Sequence, residues 1–139
     1  MTKSFIDNKL LEIGLPAGCQ GFEYIFQAIM MLEDGLYPNV KITWMYHMIG
    51  KKNGTSGSCV ERSIRHAFYT IRKNTYNISK VEHYIGMKNP QNQNSLFQLY
   101  VVLKDEYETS LIMKEDMTKM REFIIKLADQ YGLKISVLN

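Results

Sequence analysis

Cysteine is scarce in this sequence, which contains only Cys19 and Cys59 among its 139 residues. Two widely separated cysteines form neither a disulfide framework nor a CxxC pair. The three histidines, His47, His66 and His83, have no metal-ligand spacing with them, so neither a metal nor any other cofactor is expected. This cysteine usage favours a reduced, cytoplasmic protein.

Long apolar runs and a signal-peptide pattern are also missing, so no association with a membrane is expected. The glycine-containing segment from Gly54 to Gly57 is neither a phosphate-binding loop nor a nucleophile elbow, and the carboxylates are scattered. An enzyme is therefore not expected. A hydrophobic fraction of 45% and a charged fraction of 22% are ordinary for one globular domain, with or without a small appendage.

The net charge of +3 is small, but it is unevenly distributed. Between Lys51 and Lys73 there are six basic residues and one acidic residue, Glu61, so this segment carries +5 and the rest of the chain −2. A localised basic patch is typical of proteins that bind a phosphate backbone. The alternative is a solvated helix face with no ligand.

The basic segment contains a predicted helix from Ser58 to Lys73 with two unlike faces. Its apolar stripe consists of Val60, Ile64, Ala67, Phe68 and Ile71. Its polar side consists of Arg62, Arg65, Tyr69 and Arg72. Arginine forks match guanine edges and phosphates, so this polar side suits the groove of a DNA duplex.

Three further helices are predicted before the basic helix begins. Ser4 and Asp7 suggest a capping box that opens the first helix, which Gly14 closes. Helical spacing marks a second helix through Phe22, Ile25, Phe26, Ile29 and Leu32. It also marks a third helix from Ile42 to Gly50, whose core-facing residues are Trp44, Met45, Met48 and Ile49.

Another capping box, Ser58 with Glu61, fixes the start of the basic helix. The third and basic helices make a helix-turn-helix candidate, and one more helix is predicted from Asn77 to Ile85.

The chain after the polar stretch 87–95 shows a different period. Phe97, Leu99, Val101 and Leu103 alternate with other residues, which predicts a strand, and a second strand could pass through Leu111 and Met113. An amphipathic helix then runs from Met117 to Tyr131, and a last strand is predicted at 135–138. The predicted fold is therefore mainly α: a helix-turn-helix domain at 1–88, followed by a small C-terminal α+β (ββαβ-like) appendage at 95–139. That appendage is expected to pack on the helical domain or to pair with a second copy in a homodimer.

Two separated blocks of this sequence resemble a known family. The segment 46–52 (YHMIGKK) and the pattern SxVERxIRHA at 58–67 form one block, and EIGLPA at 12–17, GFxY at 21–24 and AIMM at 28–31 form the other. Both are similar to the DNA-binding effector domain of the stage-zero sporulation response regulator family. The resemblance covers residues 10–85, with weaker traces to residue 97.

This resemblance implies binding of double-stranded DNA and transcriptional control, with RNA polymerase as a further candidate partner. It implies base contacts by Arg62 and Arg65, with Glu61 as a reader of a cytosine amino group. The implied phosphate contacts come from Lys51, Lys52, Thr55 and Ser58. The family's histidine is matched by His66. Two alternatives are purely structural: Glu61 closing its capping box, and His66 satisfied inside the fold.

The chain departs from the family at several places. Cys59 stands where the family usually has arginine, Gln20 replaces a basic residue, and His47-Met48 replaces Pro-Asp. The family's helix after an Asn-Ser-x-Phe element conflicts with the strand predicted here at Phe97. No receiver domain is expected, and with it no control by phosphorylation on this chain. The competing function is a protein-interaction module, such as an antagonist of a full-length regulator, that kept the fold and lost DNA binding.

Overall fold

The computed structural model describes residues 1–88 and 91–133, and this part of the chain is helical without strands. The chain divides into two compact units, Met1–Asp105 and Glu106–Asn139. The helices are α1 (Lys3–Glu12), α2 (Gln20–Met31, continued by a π turn over Leu32–Leu36), α3 (Ile42–Lys52), α4 (Gly57–Asn74), α5 (Ile78–Tyr84) and α6 (Asn92–Gln130). Helices α3 and α4 pack most extensively on each other, and α2 packs on both.

The core of the first unit contains the predicted apolar stripe of α4. Val60, Ile64, Ala67, Phe68 and Ile71 are all buried, which confirms the basic helix to within one residue at each end. The stripe faces α2 and α3, so the polar side of α4 is turned away from them. The 3.6-residue period of this segment therefore correctly predicted which face of α4 is buried.

Helix α2 approaches α4 closely enough to require a glycine. A Cβ placed on Gly21 would lie 2.6 Å from the backbone oxygen of Ser63 and 2.7 Å from the Cβ of Ala67. Because the obstacles include backbone, no side-chain rotation could relieve the contact. The glycine therefore sets how near the start of α2 comes to the middle of α4.

Two helix starts differ from the predicted capping boxes. Thr2 caps α1, since its hydroxyl accepts a hydrogen bond from the Phe5 amide at 3.2 Å. Ser56 caps α4 by accepting from the Cys59 amide at 3.1 Å. The boxes predicted from Ser4 and from Ser58 are wrong because each serine already lies inside the first helical turn. The predicted helix over residues 77–85 is confirmed as α5 (Ile78–Tyr84).

The buried face of α3 is only partly the predicted one. Met45 and Ile49 are buried as expected, and Tyr46 joins them. Trp44 and Met48 were expected in the core, but they remain 45% and 37% exposed. The buried face runs through positions 45, 46, 49 and 50, which leaves Met48 outside it and Trp44 on the opposite side of the helix.

The α+β appendage is wrong for the residues that the structure describes. The strand predicted from Phe97 to Leu103 and the one through Leu111 lie within α6, which also contains residues 117–130 of the predicted 117–131 helix. The buried residues near its start, Leu96, Leu99, Tyr100 and Leu103, are spaced i, i+3, i+4 and i+7. That is a helical period, which Phe97 and Val101 obscured by adding an apparent alternation. The strand predicted at 135–138 lies outside the described residues.

Arg72 is a structural residue rather than a member of the exposed polar side. Its guanidinium donates to the backbone oxygens of Gly86 (2.8 Å) and Ile85 (3.3 Å) and to the hydroxyl of the fully buried Ser95 (2.6 Å). Burial lowers the pKa of Arg72, and the nearby carboxylate of Glu82 opposes that shift. These bonds fasten α4 to the end of α5 and the start of α6.

Among the described residues, no helix has the length and apolar character needed to span a membrane.

Candidate nucleic-acid interface

The turn between α3 and α4 is short and internally hydrogen-bonded. The Thr55 amide donates to the Gly50 backbone oxygen at 2.8 Å, and Gly54 between them has a φ of 71°. A Cβ on Gly50 would lie only 2.7 Å from the Thr55 backbone oxygen. Small residues at these positions let α4 begin directly against the end of α3, which is the geometry of a helix-turn-helix.

Asn53 connects this turn to α2. Its side-chain nitrogen donates to the Ile49 backbone oxygen at 2.7 Å and to the Gln27 side-chain oxygen at 2.8 Å. The Gln27 nitrogen donates back to the Asn53 oxygen at 3.2 Å. Such a reciprocal amide pair holds the turn at a fixed place on the three-helix core, and with it the start of α4.

The exposed side of α4 presents most of the residues predicted to contact DNA. Arg62, Arg65 and His66 are exposed along it, and Ser58 is exposed in its first turn. The ring of His66 lies 6.5 Å from that of Tyr69, which is 56% exposed. The alternative of a histidine satisfied inside the fold is therefore not what the structure has.

Glu61 pairs with Arg65 instead of closing a capping box. Its carboxylate accepts from Arg65 Nε at 3.0 Å and also from the Nη2 of the same guanidinium. The hydrogen bond and the charge of Glu61 raise the pKa of Arg65. The two residues lie one helical turn apart on the exposed face. Glu61 therefore orients the Arg65 side chain and leaves the remaining N–H donors of that guanidinium available.

The basic residues before the turn lie at the C-terminal end of α3. Lys51 and Lys52 are exposed in its last turn, and Thr55 is half-buried in the turn that follows. A purely structural role is open to the lysines, since cations stabilise a helix C-terminus. Their position beside the start of α4 equally suits phosphate contact.

A pocket of about 440 Å³ opens beside the exposed face of α4, between that helix and the start of α2. Its lining includes Arg62, Ser63 and His66 from α4. Gln20 and Cys59 share the same pocket. These are the two positions where the resemblance described above implies a basic residue that this chain lacks, and the structure brings them together.

Tyr46 and Asn92 interact with Glu61 but do not belong to the exposed side of α4. Asn92, at the start of α6, donates to the Glu61 backbone oxygen at 3.0 Å. Burial raises the pKa of Tyr46 to about 12, with the charge of Glu61 adding to the rise and a hydrogen bond with Asn92 opposing it. The sequence reasoning missed both residues as parts of the site, because neither belongs to the polar pattern of α4.

Comparison with protein families agrees with this geometry. The family model described as "Sporulation initiation factor Spo0A C terminal" matches residues 6–104. The match begins in α1 and ends inside α6, so it includes the whole helix-turn-helix. The family is one of DNA-binding effector domains of response regulators that act in the control of sporulation. A helix, as the resemblance implied, is observed here rather than the strand that we predicted, and α6 already includes the Asn-Ser-x-Phe element because it begins at Asn92.

Proposed function

The chain belongs to the family of Spo0A C-terminal domains, and from this premise we propose that it binds duplex DNA sequence-specifically to control transcription. The observation that carries the proposal is the side of α4 that faces away from the core, where Arg62 and Arg65 are exposed and held on a rigid frame. We propose the cytoplasm as its location and no enzymatic activity.

In the proposed mechanism α4 enters the major groove. Arg62 and Arg65 contact base edges, while Glu61 holds Arg65 in place and accepts from a cytosine amino group. Lys51, Lys52, Thr55 and Ser58 contact phosphates on either side of the turn, and His66 contacts the DNA further along the helix. The apolar stripe buried against α2 and α3 supports this arrangement, because docking requires no rearrangement of the core.

Two further partners belong to the proposal. RNA polymerase is a candidate because an effector domain must act on transcription to have its effect. A second copy of the chain is another, since a dimer would present two recognition helices to paired half-sites and raise affinity.

The phosphate contacts are tested by removing two charges from the turn. Lys51→Ala with Lys52→Ala should weaken binding to every duplex about equally and reduce the salt slope by roughly 2. Lys119→Ala with Lys126→Ala is the matched control, since it removes the same charge from exposed positions outside the helix-turn-helix. Fluorescence anisotropy against salt concentration measures both. Equal losses in the two double variants would contradict the docking face.

The base contacts are tested after a preferred site has been selected from random duplexes. Arg62→Ala or Arg65→Ala should each cost roughly 1–3 kcal/mol on that site and less on random DNA. Their exposure predicts little change in melting temperature, which serves as the control for folding. If specific and random DNA lose affinity equally, these arginines do not read bases.

One observation favours the competing function, an interaction module that has lost DNA binding. The pocket beside Arg62 contains both Gln20 and Cys59, so two basic residues of the family are missing from one place. Under the DNA-binding proposal, Gln20→Lys with Cys59→Arg should strengthen binding to duplexes, because it adds two charges at the interface. A wild-type chain that binds no duplex even at low salt would favour the interaction module.

A further inference from the structure

The second part of α6 carries an apolar stripe that the described residues leave exposed. Met113, Met117 and Met120 are 60%, 62% and 65% exposed, and Ile124 and Leu127 are each 42% exposed. Of the described residues beyond Asp105, Ala128 is the one that is buried. An apolar surface of this length on a helix is typical of an interaction site.

The spacing of this stripe is that of a coiled coil. Met113, Met117, Met120, Ile124, Leu127 and Tyr131 are separated by alternating intervals of four and three residues. In a heptad, Met113, Met120 and Leu127 take the d positions, while Met117, Ile124 and Tyr131 take the a positions. These a and d residues form the seam of the coiled coil, and with Ser110 as the preceding a position the seam extends over three heptads.

The opposite side of the helix is acidic with the same period. Glu108, Glu115, Glu122 and Asp129 recur every seven residues, at the heptad position farthest from the seam, and all are exposed. An acidic face is suited to water. The helix therefore has one face that is stable in solvent and one whose stability requires a partner.

The charges beside the seam identify both the partner and its direction. Lys114 and Arg121 occupy e positions, and Asp116 occupies a g position. In a parallel pair, g of one chain faces e of the next heptad in the other, which places Asp116 beside Arg121 of the second copy. In an antiparallel pair e faces e, so the basic residues would face one another and repel.

We propose that a second copy of this chain covers the seam in a parallel, two-stranded coiled coil formed by α6. Ile124 at an a position followed by Leu127 at d is the combination that favours two strands. The family match ends at residue 104, so the seam lies wholly beyond the matched segment. The coiled coil does not depend on DNA binding, and measurements without DNA test it, so either proposal can fail while the other stands.

Two adjacent isoleucines provide the decisive experiment. Ile124 lies in the seam and Ile125 outside it, and they are 42% and 44% exposed, so the same substitution should affect the folded monomer about equally. Sedimentation equilibrium on the full chain should give twice the 16.2 kDa monomer mass for the wild type. Ile124→Glu should raise the dimer dissociation constant about 100-fold or more by burying a charge, and Ile125→Glu less than about tenfold.

The outcomes that overturn the proposal are distinct. If the wild-type chain remained monomeric at high micromolar concentration, a second copy would be excluded as the partner. If it formed a trimer, the two-stranded coiled coil would be excluded. Equal effects of Ile124→Glu and Ile125→Glu remove the seam. Circular dichroism of each variant checks that its helix content is unchanged.

Charge exchange tests the direction of the two chains. Asp116→Arg and Arg121→Asp should each weaken the dimer about 3- to 10-fold, and the double variant should restore it, because the exchanged charges again attract. In an antiparallel dimer, Arg121→Asp would instead place an aspartate among the basic e residues and strengthen association. That result would overturn the parallel arrangement.

Discussion

Two stretches of α6 have the same kind of apolar spacing, yet the apolar stripe of the first is buried and that of the second is exposed. In the first stretch, Asn92–Asp105, Leu96, Leu99 and Leu103 are fully buried in the first unit. In the second, Glu106–Gln130, Met117 and Met120 are more than 60% exposed. Amphipathic spacing therefore predicts that a face will be covered, but it does not predict whether the same chain supplies the cover.

The two stretches also differ in their polar anchors. The first stretch is attached to the rest of its unit by Ser95 with Arg72, by Asn92 with Glu61, and by Tyr100, whose hydroxyl donates to the Glu33 carboxylate at 3.0 Å. In the second stretch, the ion pair between Lys119 and Glu115 lies within the helix itself. Long-range hydrogen bonds thus accompany burial, and substitutions can separate the two stretches by their effect on stability.

The largest expected difference comes from shortening one apolar side chain in each stretch. Leu99→Ala should lower the free energy of unfolding by roughly 2–5 kcal/mol, because it leaves a cavity at a fully buried site. Ile112→Ala, at a position that is 59% exposed and outside the seam, should change it by no more than about 0.5 kcal/mol. Urea denaturation measures both. Similar losses would show that the second stretch is as well packed as the first.

Removing the arginine anchor is expected to have the next largest effect. Arg72→Ala leaves the buried Ser95 hydroxyl and two backbone oxygens without their donor, so it should cost about 2–3 kcal/mol. Lys73→Ala is the matched control, because Lys73 is an exposed neighbour on the same helix. If both variants unfold at the same urea concentration, Arg72 does not anchor the first stretch.

Much of the first unit could be predicted from the sequence. The period of α4 gave its buried stripe, and the exposed arginines follow from the same pattern. Arg72 was misassigned because its partners, Ile85, Gly86 and Ser95, are distant in the sequence and become neighbours only through folding. Sequence spacing describes one helix at a time, so it cannot show that a polar side chain bridges three segments.

The first stretch of α6 was mistaken for a strand for a different reason. Phe97 and Val101 add apolar residues on the side away from Leu96, Leu99 and Leu103, which creates an apparent period of two. Both periods are present in the sequence, and tertiary packing decides between them. The resemblance to the family implied a helix here, and the structure has one, whereas the alternation that we followed reflects only a short window of sequence.

Deleting Glu108–Asn139 tests whether the first stretch depends on the second. Those deleted residues that the structure describes are not part of the core of the first unit, so the free energy of unfolding of that unit should change by no more than about 1 kcal/mol. The same deletion should abolish self-association. A truncated chain that fails to fold would show that the first unit, Met1–Asp105, is not an independent domain.

The smallest expected effect concerns the ionisation of the buried tyrosines, which does not occur at neutral pH. Burial raises the pKa of Tyr46 to about 12, and burial with the Glu33 contact raises the pKa of Tyr100. A tyrosine in the unfolded chain ionises near pH 10. Between these values the unfolded chain has lost the proton that the folded chain keeps, so stability should be unaffected below pH 10 and decrease from about pH 10 to 12.

Tyr46→Phe removes one of these protons and should make the alkaline decrease shallower while leaving the stability curve below pH 10 parallel to that of the wild type. Tyr131→Phe is the control from the second unit, where the side chain is 71% exposed, and it should leave the decrease unchanged. Urea denaturation at a series of pH values measures the effect. If Tyr131→Phe flattened the curve as much as Tyr46→Phe, burial in the first unit would not be the origin of the alkaline transition, and the two units would not differ in the ionisation of their tyrosines.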